Sequence, residues 1–193
     1  MDAKTSRREL TKAQNRETIL AAARQVFAQL GFATATVRDV IRATPLASGT
    51  FYNYFKSKEE VYQALRDDEA LVVRPRLREA RLAAATAEEF FAGTFRAFFH
   101  FVAERRGETP PPGMRFRMDS PEVLAGFDEL TQDIEAAMAR GLLPTTDAQA
   151  LAAALAGVGF ELAERVKTGA GVEETAAFAT ALFLSGIGAL PKP

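Results

Sequence analysis

The sequence predicts an all-α protein of about nine helices, and three observations predict it. Apolar residues recur with a period near 3.6 in most windows of the chain. β-Branched runs and strict apolar–polar alternation are nearly absent. The periodic stretches are bounded by residues that start helices (Thr36, Ser57, Thr86, Ser120, Thr146) and by glycines that stop them (Gly31, Gly141, Gly169).

Taken in order, residues 1–13 read as a disordered basic arm with Lys4, Arg7, Arg8 and Lys12. The arm is read first as an inert tail, with a DNA contact that orders on binding as the alternative. The first helix is predicted over 14–30, with Ile19, Ala23, Val26, Phe27 and Leu30 as its stripe and Gly31 as its left-handed stop. Thr36, with Asp39 three residues on, opens a short second helix whose apolar side is Val37, Val40 and Ile41. Pro45 disfavours helix at Thr44 and lacks an N–H, so it separates this helix from a third over 47–55. Ser57 and Glu60 open a fourth, which carries Val61 and Leu65 and which Pro75 is expected to kink or end.

Thr86 and Glu89 start a fifth helix, 87–106, crowded with phenylalanines on more than one face and so expected to be central. A proline-rich loop, 107–113, and a short segment near 114–119 follow. Ser120-Pro121 caps the helix predicted at 121–140. Thr146 and Gln149 open the next, to about residue 168, and the last runs over 172–188.

A chain of 193 residues can bury about 70% of its unfolded surface. Without cysteine it has no disulfide, no thiolate metal site and no cysteine nucleophile. No apolar run approaches the roughly 18 residues of a membrane span, and the first residues are charged rather than a signal-peptide core. A cytoplasmic location without membrane association is the expectation. The net charge of −1 hides an asymmetry: residues 1–58 hold ten Lys or Arg against four Asp or Glu, and residues 59–193 hold fourteen against twenty-one. A basic first third points to an anionic partner at one end of the chain only.

Two short helices joined by a brief turn, after a longer one, read as a helix-turn-helix unit. In the second of these, Phe51 and Phe55 are four apart and serve as anchors, which leaves Ser48, Thr50, Tyr52, Asn53 and Tyr54 outward or on the flanks. Hydroxyls there suit phosphates, and rings and amides suit base edges. Gly49 permits close backbone approach to another surface.

The segment 31–40 (GFATATVRDV) and the run Ser48-Gly49-Thr50-Phe51-Tyr52-Asn53-Tyr54-Phe55-Lys56-Ser57-Lys58-Glu59 resemble the TetR family of bacterial transcriptional regulators, well over residues 14–65 and elsewhere in plan. The resemblance implies a helix-turn-helix DNA-binding domain over 14–60 and an effector-binding and dimerisation domain over 61–193. It implies a homodimer whose recognition helices enter successive major grooves of a near-palindromic double-stranded operator, about 34–36 Å apart. Thr36 would meet a phosphate, and Ser48, Gly49, Thr50, Tyr52, Asn53 and Tyr54 would form the recognition surface; Arg38 is read as a DNA contact, with a solvated face as the competing reading. Lys58 would hold backbone phosphate. Two departures stand out: Ala47-Ser48 replaces the usual Ser-Lys pair before the glycine, and Pro45 replaces the usual turn glycine.

The resemblance also implies a pocket for a small hydrophobic effector in the later helices, with a repressor released from DNA when it fills. Phe91, Phe95, Phe98 and Val102 share a stripe, and Phe116, Phe127, Leu130, Ile134 and Phe160 complete an apolar wall; a plain domain core is the competing reading of the same residues. The last two helices, rich in small residues, would pair with their copies into a four-helix bundle through Leu151, Leu155, Val158, Leu162, Phe178, Ala181 and Leu182. No cofactor or metal is expected, since His100 is the single histidine. An enzyme is disfavoured: there is no phosphate-cradling glycine loop after a strand and no paired metal or triad motif. A helical protein-binding adaptor and a transcriptional activator are the alternatives to a repressor.

Overall fold

A computed structural model describes residues 3–105 and 120–190. All regular structure among them is helical: α1 (Ala3–Leu30), α2 (Val37–Arg42), α3 (Ser48–Tyr52), α4 (Lys58–Ala83), α5 (Ala87–Ala103), α6 (Pro121–Ala139), α7 (Ala148–Lys167) and α8 (Val172–Ile187). The ninth expected helix, near 114–119, lies outside the described residues, as do the loop 107–113 and Phe116.

One expectation is corrected by the helices themselves, and a second in part. Residues 3–13, read as a disordered arm, continue α1 without a break; nothing between Ala3 and Leu30 is a proline or glycine that would stop the helix. Pro75 does not end α4, which runs through it to Ala83. Proline removes one hydrogen bond and crowds the preceding turn, but here it sits on an exposed face.

The chain forms two compact units, divided within α4 between Asp68 and Glu69. The N-terminal unit closes on Ile19, Leu20, Ala23, Val26 and Phe27 of α1, Val40 of α2, Phe51, Phe55, and Val61, Tyr62 and Leu65 of α4. Those α4 residues belong to this core, so the unit ends at Asp68 rather than at the residue 60 read from the sequence. Phe32 bridges it, with ring centroids 5.1 Å from Phe27 and 5.1 Å from Tyr62.

In the C-terminal unit α5 packs on α7 and α8, α6 on α7, and α7 on α8. Phe90, Phe91, Phe95, Phe99, Phe101 and Val102 of α5 are all buried, so α5 is central as its all-round apolar pattern predicts. Ion pairs join α4 to α6 within this unit: Arg74 to Glu129, and Arg81 to Asp133 at 2.8 Å. The stops work as read. Gly141 takes φ +73, and Leu142 N–H then donates to the Ala137 carbonyl at 2.9 Å. One cap is shifted: Asp147, not Thr146, caps α7 by accepting from Ala150 N–H, and Thr146 is buried. No helix among the described residues is long and apolar enough to cross a membrane.

Candidate nucleic-acid interface

The N-terminal unit positions its exposed residues from the inside outward. α1 ends at Gly31, whose φ of +72 turns the chain; Gly31 N–H donates to Phe27 O and Ala35 N–H to Gly31 O, each at 3.0 Å. α2 begins in a complete capping box. Thr36 N–H donates to Asp39 Oδ2 at 2.9 Å, Thr36 Oγ1–H donates to the same oxygen at 2.6 Å, and Asp39 N–H donates to Thr36 Oγ1 at 3.3 Å. These hydrogen bonds, more than the neighbouring Arg42 and Arg38, hold the Asp39 carboxyl below its ordinary range.

The turn to α3 is built by Thr44 and Pro45. Thr44 Oγ1–H donates to Ile41 O at 2.8 Å and accepts from Leu46 N–H at 3.2 Å. A hydroxyl thus provides local turn bonds next to the proline, which supplies no N–H. α3 has Ala47 at its N-cap and no side-chain cap, in keeping with the departure seen at Ala47-Ser48. Tertiary packing holds it instead: Phe51 is buried to 1% exposure, and its ring centroid lies 6.1 Å from that of Phe55. Burial of one such side chain stabilises by about 1.5–3 kcal/mol.

With Phe51 and Phe55 inward, Ser48, Gly49, Tyr52 and Asn53 are exposed, Tyr52 to 55%. A Cβ on Gly49 would meet nothing within 4 Å, so packing within the chain does not require a glycine there. Thr50 and Tyr54 are half-buried, and Tyr54 packs against the core from its flank. Arg38 is exposed on α2. The expected recognition residues therefore form one outward group, with Thr50 and Tyr54 at its margin.

Two residues expected at phosphates have partners within the chain. The Lys58 ammonium donates to the carbonyls of Phe32, Ala33 and Ala35 at 2.8, 3.3 and 2.8 Å, and it sits 4.6 Å from the Phe32 ring centroid. All three of its N–H donors are engaged with the loop between α1 and α2. The Thr36 hydroxyl is likewise given to Asp39. The sequence motif places a lysine and a threonine at these positions, but the motif alone does not reveal these acceptors. Arg66 is a residue that sequence reasoning did not single out; its guanidinium lies 4.9 Å from the Tyr62 ring centroid.

In the C-terminal unit the proposed apolar wall divides. Phe91, Phe95, Val102, Leu130 and Ile134 are buried core, whereas Phe98, Phe127 and Phe160 are half-buried. Phe98 and Phe160 meet edge to face at 5.6 Å. Phe183 of α8, absent from the sequence reading, stacks with Phe91 at 5.5 Å and lies 5.7 Å from Phe95. The expected interface residues divide too. Leu151 and Leu155 are corrected: with Ala152, Gly159, Ala163 and Val166 they form the buried stripe of α7 and belong to the core. Val158 and Leu162 are half-buried. On α8, Phe178, Ala181 and Leu182 are exposed, Phe178 to 59% and Leu182 to 51%. No group of three or more potential metal ligands occurs among the described residues.

The N-terminal unit thus holds a helix-turn-helix, and the C-terminal unit is a larger helical one. Residues 19–65 match the family model for bacterial regulatory proteins of the tetR family, so that family's domain is present in this segment of the N-terminal unit. It is 39% identical over 67 residues to the HTH-type transcriptional regulator UidR of Escherichia coli, covering 33% of this chain and 34% of UidR. It is 29% identical over 96 residues to the HTH-type transcriptional repressor KstR2 of Mycolicibacterium smegmatis, covering 50% of this chain and 47% of that one. The match thus spans about a third of UidR and about half of KstR2.

Solved structures share the fold over most of the chain. The fatty acid degradation regulator FadR of Bacillus halodurans superposes with a TM-score of 0.72 at 21% identity, covering 88% of this chain and 94% of that one. FadR of Bacillus subtilis, solved in complex with stearoyl-CoA, gives 0.69 at 22% identity, covering 89% and 98%.

Proposed function

We propose that this protein is a ligand-responsive, DNA-binding transcriptional regulator, a homodimer that represses from a near-palindromic operator and leaves it when a small hydrophobic effector binds. One observation carries the reading: Ser48, Gly49, Tyr52 and Asn53 are presented outward by a helix whose Phe51 is fixed in the core, within the segment that matches the family model. Tyr52 meets the Phe51 ring edge to face at 5.5 Å yet stays 55% exposed, and base-edge and phosphate contacts use such a tyrosine beside an asparagine.

A dimer through α8 is supported by the exposed Phe178, Ala181 and Leu182, which lie three, four and one residues apart on one helical face. Ala153, Ala154 and Gly157 on α7 are exposed and small enough for close helix approach. The effector reading is supported by the half-buried Phe98 and Phe160 beside the aromatic core, and by a fold neighbour solved with stearoyl-CoA. An apolar chain would then be recognised by phenylalanine faces.

The test is selection of genomic fragments by the purified protein, then fluorescence anisotropy with the selected duplex and a random-sequence competitor. The expected result is binding that survives the competitor and weakens steeply with salt. Tyr52→Ala and Asn53→Ala are expected to lose affinity for the selected duplex, by about 1–3 kcal/mol for each base contact removed, with both variants still folded and Tyr52→Ala less stable by about 0.5–1.5 kcal/mol for its lost contact with Phe51. Unaltered affinity for both variants, and for Tyr54→Ala, would remove the recognition surface. Equal binding of selected and random duplexes would favour the adaptor reading. Fatty acyl compounds that bind the protein without changing DNA affinity would remove the effector reading.

A further inference from the structure

α3 is too short to set its own direction. It has five residues, no acidic residue in its first turn and no side-chain cap at Ala47. A helix of this length has too few internal hydrogen bonds to offset its nucleation, so its axis is fixed by what holds it from outside. Phe51, at 1% exposure, is one fixed point. A single anchored side chain sets where the helix sits and leaves its tilt about that point open. Contacts to base edges need placement to within about 0.5 Å and 10–20°. A second fixed point is therefore required ahead of the helix.

The junction between α2 and α3 holds such a point in Thr44. Its N–H and its Oγ1–H both donate to the Ile41 carbonyl, at 3.0 and 2.8 Å, and its Oγ1 accepts from Leu46 N–H at 3.2 Å. One half-buried side chain thus ties the body of α2 to the residue two places before α3. Pro45, between them, fixes its own φ and disfavours helix at Thr44, which narrows the paths open to the chain. Leu46 in turn packs against the core of the N-terminal unit. Leu46 and Phe51 then hold α3 from either side of its start, and the Thr44 hydroxyl fixes the backbone that leads into it.

We propose that Thr44 is a positioning residue for sequence-specific DNA binding: through its hydroxyl it fixes the tilt of α3, and it makes no contact with DNA itself. The inference rests on the DNA-binding reading above and deepens it. The single donor of the hydroxyl is spent on Ile41 O, and one of its acceptor sites on Leu46 N–H. Without these bonds α3 samples several tilts, and affinity for the correct duplex falls with the fraction of molecules that hold the right one. Phosphate contacts carry no sequence information, so binding to random duplex does not depend on that tilt.

The experiment compares the full chain with Thr44→Val, Thr44→Ser and Ile19→Val, on a selected duplex and a random-sequence duplex across a salt series. Thr44→Val keeps the shape and removes the hydroxyl. It is expected to weaken binding of the selected duplex about five- to tenfold, the scale of one or two lost hydrogen bonds. Affinity for the random duplex and the salt slope should not change, since no cation is lost. Thr44→Ser retains the hydroxyl and should bind as the full chain does. Ile19→Val removes a methylene from the core of the same unit at a comparable loss of stability. It should leave both affinities unchanged, which separates positioning from general destabilisation. Thr44→Val should cost less in an Asn53→Ala background than alone, because both substitutions act through one helix. In the free protein, Thr44→Val should speed amide exchange at Leu46. Thr44→Ala takes the place of Thr44→Val if the latter does not fold. With the full chain still selective, any of three results overturns this role and leaves the regulator reading standing: an unchanged affinity ratio in Thr44→Val, the same loss in Ile19→Val, or full additivity with Asn53→Ala. The last would give Thr44 a DNA contact of its own. Failure of the full chain to prefer any duplex would remove the regulator reading and this role with it.

Discussion

Arg81 of α4 and Asp133 of α6 form a charge-assisted pair at 2.8 Å in which both side chains are buried, to 3% and 4% exposure. Burial pushes the Arg81 guanidinium down, and the Asp133 hydrogen bond and charge oppose that effect. Arg78 Nε lies 3.8 Å from the other carboxylate oxygen, so Asp133 faces two cations from one helix. Such a pair fixes register between helices more than it adds stability, because desolvation offsets much of its attraction. Asp133→Ala is therefore expected to destabilise the C-terminal unit by about 3–5 kcal/mol, as an unpaired buried cation remains. The double variant Arg81→Met, Asp133→Leu is expected to recover most of that loss. Urea denaturation midpoints of the three chains check both statements.

Lys58 is expected to behave as a structural residue of the reader. Its ammonium joins the three carbonyls of the loop after α1 and lies over the Phe32 ring. Lys58→Met is expected to lower the stability of the N-terminal unit by about 1–3 kcal/mol, the scale of losing hydrogen bonds to a charged group. The salt dependence of DNA binding by the variant that remains folded should keep its slope. A slope reduced by about 0.9 with unchanged stability would instead assign Lys58 to a phosphate.

At the α5–α8 contact, the exposed Glu173 carboxylate accepts from His100 Nε2 at 3.0 Å and from Arg96 Nε at 2.9 Å. The His100 hydrogen bond is the larger cause that holds the Glu173 carboxyl below the usual 4.5, with Arg96 next. A carboxyl whose folded pKa is depressed binds fewer protons folded than unfolded near that pH. Its stabilising contribution is present above 4.5 and is lost as pH falls through the lower folded value. Carboxyl-carbon NMR titration should find Glu173 below the other exposed glutamates. His100→Ala is expected to move it back toward the ordinary value, and Arg96→Ala to move it less.

The exposed face of α8 predicts an assembly defect. Phe178→Glu with Leu182→Glu places charge where the apolar surface is exposed, so neither substitution disturbs the core of the subunit. On the proposed dimer reading, sedimentation velocity should show a folded monomer in place of a dimer, and affinity for the selected duplex should fall because two half-sites would no longer be read together. Leu151→Glu is expected to unfold the C-terminal unit instead, since Leu151 is 4% exposed within the core.

How much of this was legible in the sequence differs from element to element. Apolar periodicity, the Thr36–Asp39 box, Ser120-Pro121 and the glycines at 31, 141 and 169 are local signals, written within a few residues of where they act. They determined the helical class, most helix ends and the inward place of Phe51 and Phe55, although α3 ends at Tyr52 rather than at residue 55 and leaves Phe55 beyond the helix. Tertiary structure decided what depends on a distant partner. It joined Lys58 to carbonyls more than twenty residues away and Arg81 to Asp133 fifty-two residues on. It chose which leucines of α7 enter the core and which apolar residues of α8 stay outside. It also carried α4 through Pro75. A side chain's own sequence neighbourhood fixes its backbone and its face, but its hydrogen-bond acceptor or packing partner is set by whichever residue the fold brings alongside.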